Sequence, residues 1–235
     1  NTIVTHKDAI TDVTIRGGEP CLYLEELFDL ITRLKENTKL KVNLISSLPT
    51  TCWTKKDLFF EVLNLLDSFA FSPQHYKEEI ADKIRGCKSK YNHQDLYKEI
   101  PIKDKTCVNI NLIKGYLDTQ EEICNCIKHY NNLGYKNIKV AELFEVPDLF
   151  VSFEETFNIK LKKAFACGCK TPFDITPWIP SFKGNLIVKR ACFMINKHAH
   201  ASFSDIFKIV TRPLFAKKYS FGVVYENGDL KPYWC

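Results

Sequence analysis

Short apolar runs alternate with longer segments of helical periodicity over the first 150 residues. In the periodic segments apolar residues recur every three or four positions, whereas the short runs are rich in β-branched and aromatic residues. The pattern predicts strands at 12–15, 40–45, 68–71, 107–113 and 137–143, and helices at 24–35, 58–66, 77–98 (with a break near Gly86) and 119–133. The strands begin about thirty to forty residues apart, which is typical of right-handed βα units in a parallel sheet or barrel.

The pattern changes after about residue 150. Here the sequence predicts strands at 158–163 and 185–193, a Pro-rich connection at 171–180, a short helix at 204–210 and a hairpin at 221–230. The pair Asn227–Gly228 favours the type I′ turn of such a hairpin. We therefore predict two domains, an α/β core over residues 1–150 and a small antiparallel α+β extension over residues 151–235.

Composition narrows the class of protein. The chain has 235 residues, 45% of them apolar, which suits one domain of the larger kind, such as an α/β barrel with a small appendage. No run of eighteen apolar residues predicts a membrane helix, and residues 1–6 lack the basic start and apolar centre of a signal peptide. A net charge of +5 permits an anionic substrate or cofactor without requiring nucleic acid.

Ten cysteines are many for a chain of this length. Secreted disulfide scaffolds are short and rich in loops, whereas this chain has an ordinary core composition and no signal peptide. Reduced thiols, some of them bound to metal, explain the count better, and a cytoplasmic location is expected.

The segment Gly17-Gly18-Glu19-Pro20 lies between a predicted strand and a predicted helix. In parallel α/β folds ligands bind at that edge of the sheet. Two glycines allow the backbone to approach a ligand closely, Glu19 adds a carboxylate, and Pro20 stiffens the exit. A tight turn without a ligand is the alternative interpretation of these four residues.

This segment and its surroundings resemble the radical S-adenosylmethionine (SAM) family over residues 11–146. That family has a partial (β/α)6 TIM-like barrel with parallel strands and the motif Gly-Gly-Glu-Pro after its second strand, where the backbone binds the amino group of the methionine part of SAM. The stretch from Tyr135 to Glu145 looks most like the sixth strand of the molybdenum-cofactor GTP cyclase branch. The resemblance implies an α/β fold of this kind, completed here by the antiparallel extension.

The resemblance also implies the residues that contact SAM. They are the motif itself and residues at or just after the ends of the following strands: Gly17, Gly18, Glu19, Pro20, Ser46, Ser72, Gln74, Asn111, Glu142 and Leu143. His75, which follows the strand at 68–71, is either a further contact or a loop residue. Arg16 is either a partner for a carboxylate of SAM or an ion-pair partner of Glu19.

The chain departs from the family in one major respect. The family holds its [4Fe–4S] cluster with Cys-x3-Cys-x2-Cys in the loop after the first strand, but none of the sixteen residues before Gly17 is cysteine. We expect these ligands, and the first strand, upstream of residue 1. The alternative is a degenerate member that binds a partner or a metal without radical chemistry.

Four cysteines after residue 150 form a second candidate metal site. Cys167, Cys169, Cys192 and Cys235 fall on or beside the predicted strands of the extension, and four thiolates can hold a [4Fe–4S] cluster or zinc. Family members often carry an auxiliary cluster in such an extension, called a SPASM or twitch domain, although the spacing here differs from the usual one. Scattered structural thiols are the alternative.

The reaction implied by the resemblance is a reductive cleavage of SAM. The reduced cluster donates an electron to SAM, which yields methionine and a 5′-deoxyadenosyl radical, and the radical removes a hydrogen atom from the substrate. The expected partners are a small-molecule, nucleotide or peptide substrate and an electron donor such as flavodoxin, with no membrane and no nucleic acid.

Overall fold

A computed structural model describes residues 10–143, 146–161, 170–190, 208–213, 221–224 and 230–233. The chain divides into two compact units, one formed by Asn1–Phe71 with Ala199–Cys235 and the other by Ser72–His198. The predicted domain boundary near residue 150 stays a prediction. No helix among the described residues is long and apolar enough to cross a membrane.

The first unit alternates strands and helices. Its elements in chain order are β1 (Ile10–Arg16), α1 (Leu24–Asn37), β2 (Lys41–Ser46), α2 (Thr51–Thr54), α3 (Lys56–Leu65), β3 (Ser68–Phe71), β8 (Lys208–Pro213), β9 (Phe221–Val224) and β10 (Leu230–Tyr233). Strands β1, β2 and β3 are parallel neighbours, with Val13 opposite Val42 and Leu44 opposite Phe69. Strand β8 pairs antiparallel with the other edge of β1, and β9 and β10 follow as an antiparallel hairpin.

One side of the β1–β2–β3 sheet is apolar and fully buried. Val13, Ile15, Val42 and Leu44 are at most 1% exposed. Helix α1 buries its own apolar stripe, which consists of Leu24, Leu27, Ile31 and Leu34. The opposite side carries polar residues: the side chain of Asn43 donates to Thr14 Oγ1 over 3.4 Å and accepts from Ser68 Oγ over 2.7 Å. When one side of a sheet is buried against helices, its other side can hold polar side chains.

The second unit contains the remaining parallel strands. Its elements are α4 (Glu78–Arg85), α5 (His93–Glu99), β4 (Thr106–Asn111), α6 (Gln120–Asn132), β5 (Asn137–Ala141), α7 (Phe153–Phe157), β6 (Lys170–Pro172) and β7 (Asn185–Lys189). Strands β4, β5 and β7 are parallel in that order, and β6 pairs antiparallel with β7. The parallel strands of both units and the antiparallel strands near the C-terminus confirm the predicted fold class, an α/β protein of the partial TIM-like barrel type with a small antiparallel part.

Local chemistry explains where the helices of the second unit begin and end. The Thr119 side chain accepts a hydrogen bond from the backbone N–H of Glu122 over 3.2 Å, which caps α6 as predicted. The predicted helix over residues 77–98 is two helices, because Gly86 adopts a left-handed conformation at φ +71° and ends α4.

Two sequence predictions were wrong. Residues 158–161 of the strand predicted at 158–163 are not in a strand, because Asn158, at φ +50°, ends the unpredicted helix α7. Ser152 caps that helix, and Phe153 and Phe157 stack at 4.4 Å on its buried side. The structure describes residues 208–210 of the helix predicted at 204–210, and for these residues the prediction is also wrong. They begin β8, whose β-branched run Ile209-Val210-Thr211 favours a strand.

The described cysteines differ in burial, and Cys107 is intermediate. Cys21, Cys52 and Cys126 are at most 1% exposed, whereas Cys87 is exposed. Burial raises the pKa of the Cys52 thiol, which lies against Cys21, and burial also raises the pKa of Cys126. These buried thiols therefore stay protonated near neutral pH.

We expect iodoacetamide to modify Cys87 at least about 100-fold faster than Cys52 or Cys126 in the native protein, because the thiolate is the reacting form. Peptide mass spectrometry after timed labelling measures each site separately. Labelling in denaturant is the control and should make the rates similar. Similar rates in the native protein would contradict the buried placement.

Candidate active site

The loop after β1 has a backbone that requires glycine. Gly17 and Gly18 lie at φ +89° and +51°, in the left-handed region that side chains disfavour. No hydrogen bond between residues that the structure describes uses a backbone group of either glycine. The predicted loop thus lies at the carboxyl end of a parallel strand.

Glu19 anchors this loop to the end of β2. One carboxylate oxygen accepts hydrogen bonds from Ser46 Oγ at 2.7 Å and from the backbone N–H of Cys21 at 3.0 Å. The other accepts from the backbone N–H of Ser47 at 2.6 Å and from the Ser47 hydroxyl. Arg16, which is exposed, is not among these donors. The Glu19 side chain therefore fixes the position of the glycines.

Ser46 supports the same anchor. Its side chain is 3% exposed, donates to Glu19, and accepts from the backbone N–H of Leu48 at 2.8 Å. Leu48 itself has a left-handed backbone at φ +61°. This places Ser46, predicted as a SAM contact, in the framework that holds the motif. Ser47 is not among the site residues predicted from the sequence. The pair of serines at the end of an apolar strand is the sequence feature that indicates it.

Pro20 and Cys21 close the loop on its buried side. Both are buried, in a 3-10 turn over Pro20–Leu22. The Thr51 hydroxyl donates to the carbonyl of Cys21, and Thr51 begins helix α2. The loop is therefore held from β2 by Glu19 and from α2 by Thr51.

The other predicted SAM contacts lie in the second unit, at or directly after strand ends. Ser72 and Gln74 follow β3 in the chain and are half-buried, and Asn111 is the last residue of β4. Glu142 and Leu143 follow β5. The Glu142 backbone N–H donates to the carbonyl of Lys189 at 2.9 Å, and its carboxylate accepts from the N–H of Phe153 at 2.9 Å, so it connects β5 to β7 and α7.

His75 lies inside the second unit. It is 1% exposed, stacks on Tyr76 with ring centroids 4.7 Å apart, and accepts a hydrogen bond from the backbone N–H of Lys77 through Nδ1. Burial lowers the pKa of His75, which favours the neutral ring at neutral pH. These contacts support the structural alternative for His75.

A half-buried ion pair lies beside His75. Lys77 Nζ is 2.9 Å from Glu122 Oε1, and the Tyr76 hydroxyl donates to Glu122 Oε2 at 2.8 Å. The hydrogen bond from Lys77 lowers the pKa of Glu122. This network ties the start of α6 to the segment before α4.

The candidate auxiliary site lies outside the described residues. Cys167, Cys169, Cys192 and Cys235 all fall there, and their role as ligands stays a prediction. Within the described part of the chain, no group of three or more His, Cys, Asp and Glu side chains is arranged to hold a metal ion.

No family model matches the sequence, and no curated protein matches it. Among solved structures, the chain is similar to a domain of pyruvate-formate lyase-activating enzyme from Bacteroides vulgatus ATCC 8482, with a TM-score of 0.51 and 16% sequence identity. The match covers 63% of this chain and 89% of that domain. At this identity the likeness shows a shared fold.

Proposed function

We propose that this chain is the body of a radical SAM enzyme, which cleaves SAM reductively with a [4Fe–4S] cluster and abstracts a hydrogen atom from its substrate. The observation that carries the proposal is the Gly17–Gly18 backbone at the carboxyl end of β1, fixed by Glu19. The fold neighbour supports it, because that activating enzyme is a member of the radical SAM family.

The residues of the motif fit the amino-acid part of SAM. An ammonium group donates hydrogen bonds and needs acceptors that carry no competing partner. Among the residues that the structure describes, no hydrogen bond engages the peptide groups of Gly17 and Gly18, and a residue without a side chain lets a ligand come close. We assign these two glycines to direct contact, and Glu19, Pro20 and Ser46 to the framework that positions them.

Polar groups at other strand ends would contact the rest of SAM. Under this proposal Ser72, Gln74, Asn111 and Leu143 retain the contacts predicted from the sequence. Glu142 has its carboxylate engaged by the N–H of Phe153, so we assign it to holding the loop after β5.

The cluster requires ligands that residues 10–143 do not supply, because no group of three or more His, Cys, Asp and Glu side chains among the described residues is arranged to hold a metal ion. The proposal therefore needs a Cys-x3-Cys-x2-Cys loop upstream of residue 1. When bound, the reduced cluster would supply the electron that cleaves SAM into methionine and a carbon-centred radical. Cys167, Cys169, Cys192 and Cys235 are proposed ligands of an auxiliary [4Fe–4S] cluster.

The substrate is proposed to be a small molecule, a nucleotide or a peptide, and the electron donor a protein such as flavodoxin. Reducing conditions suit both the cluster and the buried thiols, and we propose a cytoplasmic location. The positive charge of the chain favours an anionic substrate.

Anaerobic reconstitution tests the proposal. The protein with its native upstream sequence is loaded with iron and sulfide, reduced with dithionite and mixed with SAM, and chromatography measures 5′-deoxyadenosine and methionine. We expect both products in equal amounts, and none from a sample prepared without iron. A cluster-loaded protein that leaves SAM intact would overturn the proposal in favour of a non-catalytic binding protein.

A further inference from the structure

The amino end of strand β7 forms one wall of a cavity in the second unit. The cavity has a volume of about 520 Å³. It is lined by the segment 172–176, by Phe182 and by the segment 184–187. Volumes of about 300–1,000 Å³ are typical of sites for small molecules. The cavity is therefore large enough for a small-molecule ligand.

This cavity lies at the end of the sheet opposite to the predicted SAM contacts of the same unit. Asn185 begins β7 and is paired with Asn137, the first residue of β5. The predicted contacts Asn111 and Glu142 lie instead at or directly after the carboxyl ends of β4 and β5. Because β4, β5 and β7 are parallel, their amino ends form one edge of the sheet and their carboxyl ends form the other. A ligand in the cavity is therefore not the SAM of the proposed function.

Backbone contacts hold one wall of the cavity in place. The backbone N–H of Asn185 donates to the carbonyl of Lys136 at 2.7 Å. A Cβ atom on Gly184 would lie only 2.1 Å from the same carbonyl oxygen, so the close approach requires glycine. The backbone of Lys183 forms two hydrogen bonds with the side chain of Asn131, at 3.0 and 3.2 Å. This wall is therefore formed before any ligand binds, as is usual for small-molecule sites.

Apolar side chains supply much of the lining. Ile175 and Phe182 are at most 9% exposed. The ring of Phe173 is half-buried, and its centroid lies 5.2 Å from that of Phe153 and 5.6 Å from that of Trp178. The rings of Phe173 and Phe182 suit the apolar body of a ligand, and the face of an aromatic ring attracts a cation.

Among the described residues that line the cavity, Asp174 alone carries a charge. Its Oδ1 atom accepts hydrogen bonds from the hydroxyl of Thr176 at 2.7 Å and from the backbone N–H of Thr176 at 3.0 Å. These hydrogen bonds lower the pKa of Asp174, so its carboxyl group is ionised at neutral pH. Within the described part of the chain, no cationic side chain forms an ion pair with Asp174, and its Oδ2 atom receives no hydrogen bond. The exposed Lys183 is not a lining residue.

We propose that this cavity binds a small organic amine, whose ammonium group lies against the Asp174 carboxylate and whose apolar body contacts Phe173 and Phe182. An ammonium group carries three hydrogen-bond donors, and Asp174 offers an oxygen that accepts no other hydrogen bond. The carboxylate repels an anion, and a neutral molecule leaves the carboxylate without a counter-charge. Charge complementarity therefore selects a cation. The inference goes beyond the proposed function and needs no step of it.

Calorimetric titration of the full-length protein at pH 7 and low salt tests the inference. The probes are 2-phenylethylamine, 2-phenylethanol and 3-phenylpropionate, which share a phenyl ring on a two-carbon chain and end in an ammonium, a hydroxyl and a carboxylate group. We expect the amine to bind at least tenfold more tightly than the alcohol, and the carboxylate to show no measurable binding.

The variant Asp174→Asn removes the charge but keeps the shape of the side chain and its acceptor for Thr176. We expect its Kd for 2-phenylethylamine to be at least tenfold weaker than that of the wild-type protein. The matched control is Asp148→Asn, because Asp148 is an exposed carboxylate of the same unit that does not line the cavity. Its Kd should be unchanged.

The inference is overturned if the wild-type protein does not bind the amine, or binds amine and alcohol equally. It is also overturned if Asp174→Asn keeps the wild-type Kd or if both aspartate variants lose affinity equally. Circular dichroism checks folding, and the comparison of the three probes on the wild-type protein stays decisive if Asp174→Asn unfolds. Because these titrations contain no SAM and no iron, failure here and failure of the proposed function are distinguishable.

Discussion

The Glu19→Gln variant is expected to lose about 2–3 kcal/mol of unfolding free energy, because hydrogen bonds to a charged group contribute about that much in partly buried sites. The carboxylate receives four donors, from Cys21, Ser46 and Ser47. An amide keeps one acceptor oxygen and turns an NH2 group toward donors that need an acceptor. Urea denaturation at pH 7 measures the loss as a lower midpoint with an unchanged slope.

The Glu25→Gln variant is the matched control for this change. Glu25, in the first turn of α1, forms an ion pair with Lys55 at 2.6 Å. Unlike Glu19, its side chain is mostly exposed, at 58%. Exposed ion pairs contribute little, so the control should lose much less stability than Glu19→Gln. Equal losses in the two variants would show that Glu19 is not the anchor of the loop.

Activity should respond to Glu19 through the position of the glycines. In the reconstituted enzyme, Glu19→Gln is expected to lower the rate of 5′-deoxyadenosine formation by roughly tenfold or more, since small displacements of binding groups are costly to a reaction. Glu25→Gln should leave the rate unchanged. A fast but unstable Glu19→Gln enzyme would limit Glu19 to a role in folding.

The sequence predicts the alternation of strands and helices in residues 12–143 well, because the residues of each element are enough to indicate whether it is a strand or a helix. Helix α1 has an unbroken apolar stripe, and α6 has both a capping threonine and a following glycine. Burial of one side of each element is then enough to define the fold. Gly17 and Gly18 were recognised for the same reason, since a left-handed backbone is a local property.

The role of Glu19 was not predictable from its neighbours. Its main partners, Ser46 and Ser47, lie 27 and 28 residues further along the chain and meet it only when β2 lies beside β1. A carboxylate next to two glycines looks the same in sequence whether it binds a ligand or holds the loop. Contacts of this kind follow from the tertiary fold.

The errors near the C-terminal part have a similar cause. Ile159 and Leu161 alternate with polar residues as in a strand, but the packing of Phe153 and Phe157 against Phe173 selects helix α7 before them. The helix predicted at 204–210 includes Ile209 and Val210, but these β-branched residues pair with β1. In both places the local sequence pattern favours one type of element, but packing or pairing with residues distant in sequence stabilises another.

The Gly17→Ala variant is expected to slow SAM cleavage in the reconstituted enzyme by about tenfold to 100-fold, equivalent to a loss of roughly 1.4–2.7 kcal/mol of binding in the transition state. Alanine at φ +89° strains the backbone and adds a methyl group where the peptide must approach SAM. Single-turnover measurement of 5′-deoxyadenosine and calorimetric titration of SAM report the effect on cleavage and on affinity separately.

Gly86→Ala separates backbone strain from ligand contact. Gly86 has a similar conformation, at φ +71°, and a methyl group there meets nothing within 4 Å. Both variants should lose a similar amount of stability, about 1–2 kcal/mol, because both force alanine into a left-handed conformation. Only Gly17→Ala should lose affinity for SAM. If both variants cleave SAM at the wild-type rate, the bare peptide groups of this loop do not contact the cofactor, and the motif is a structural turn.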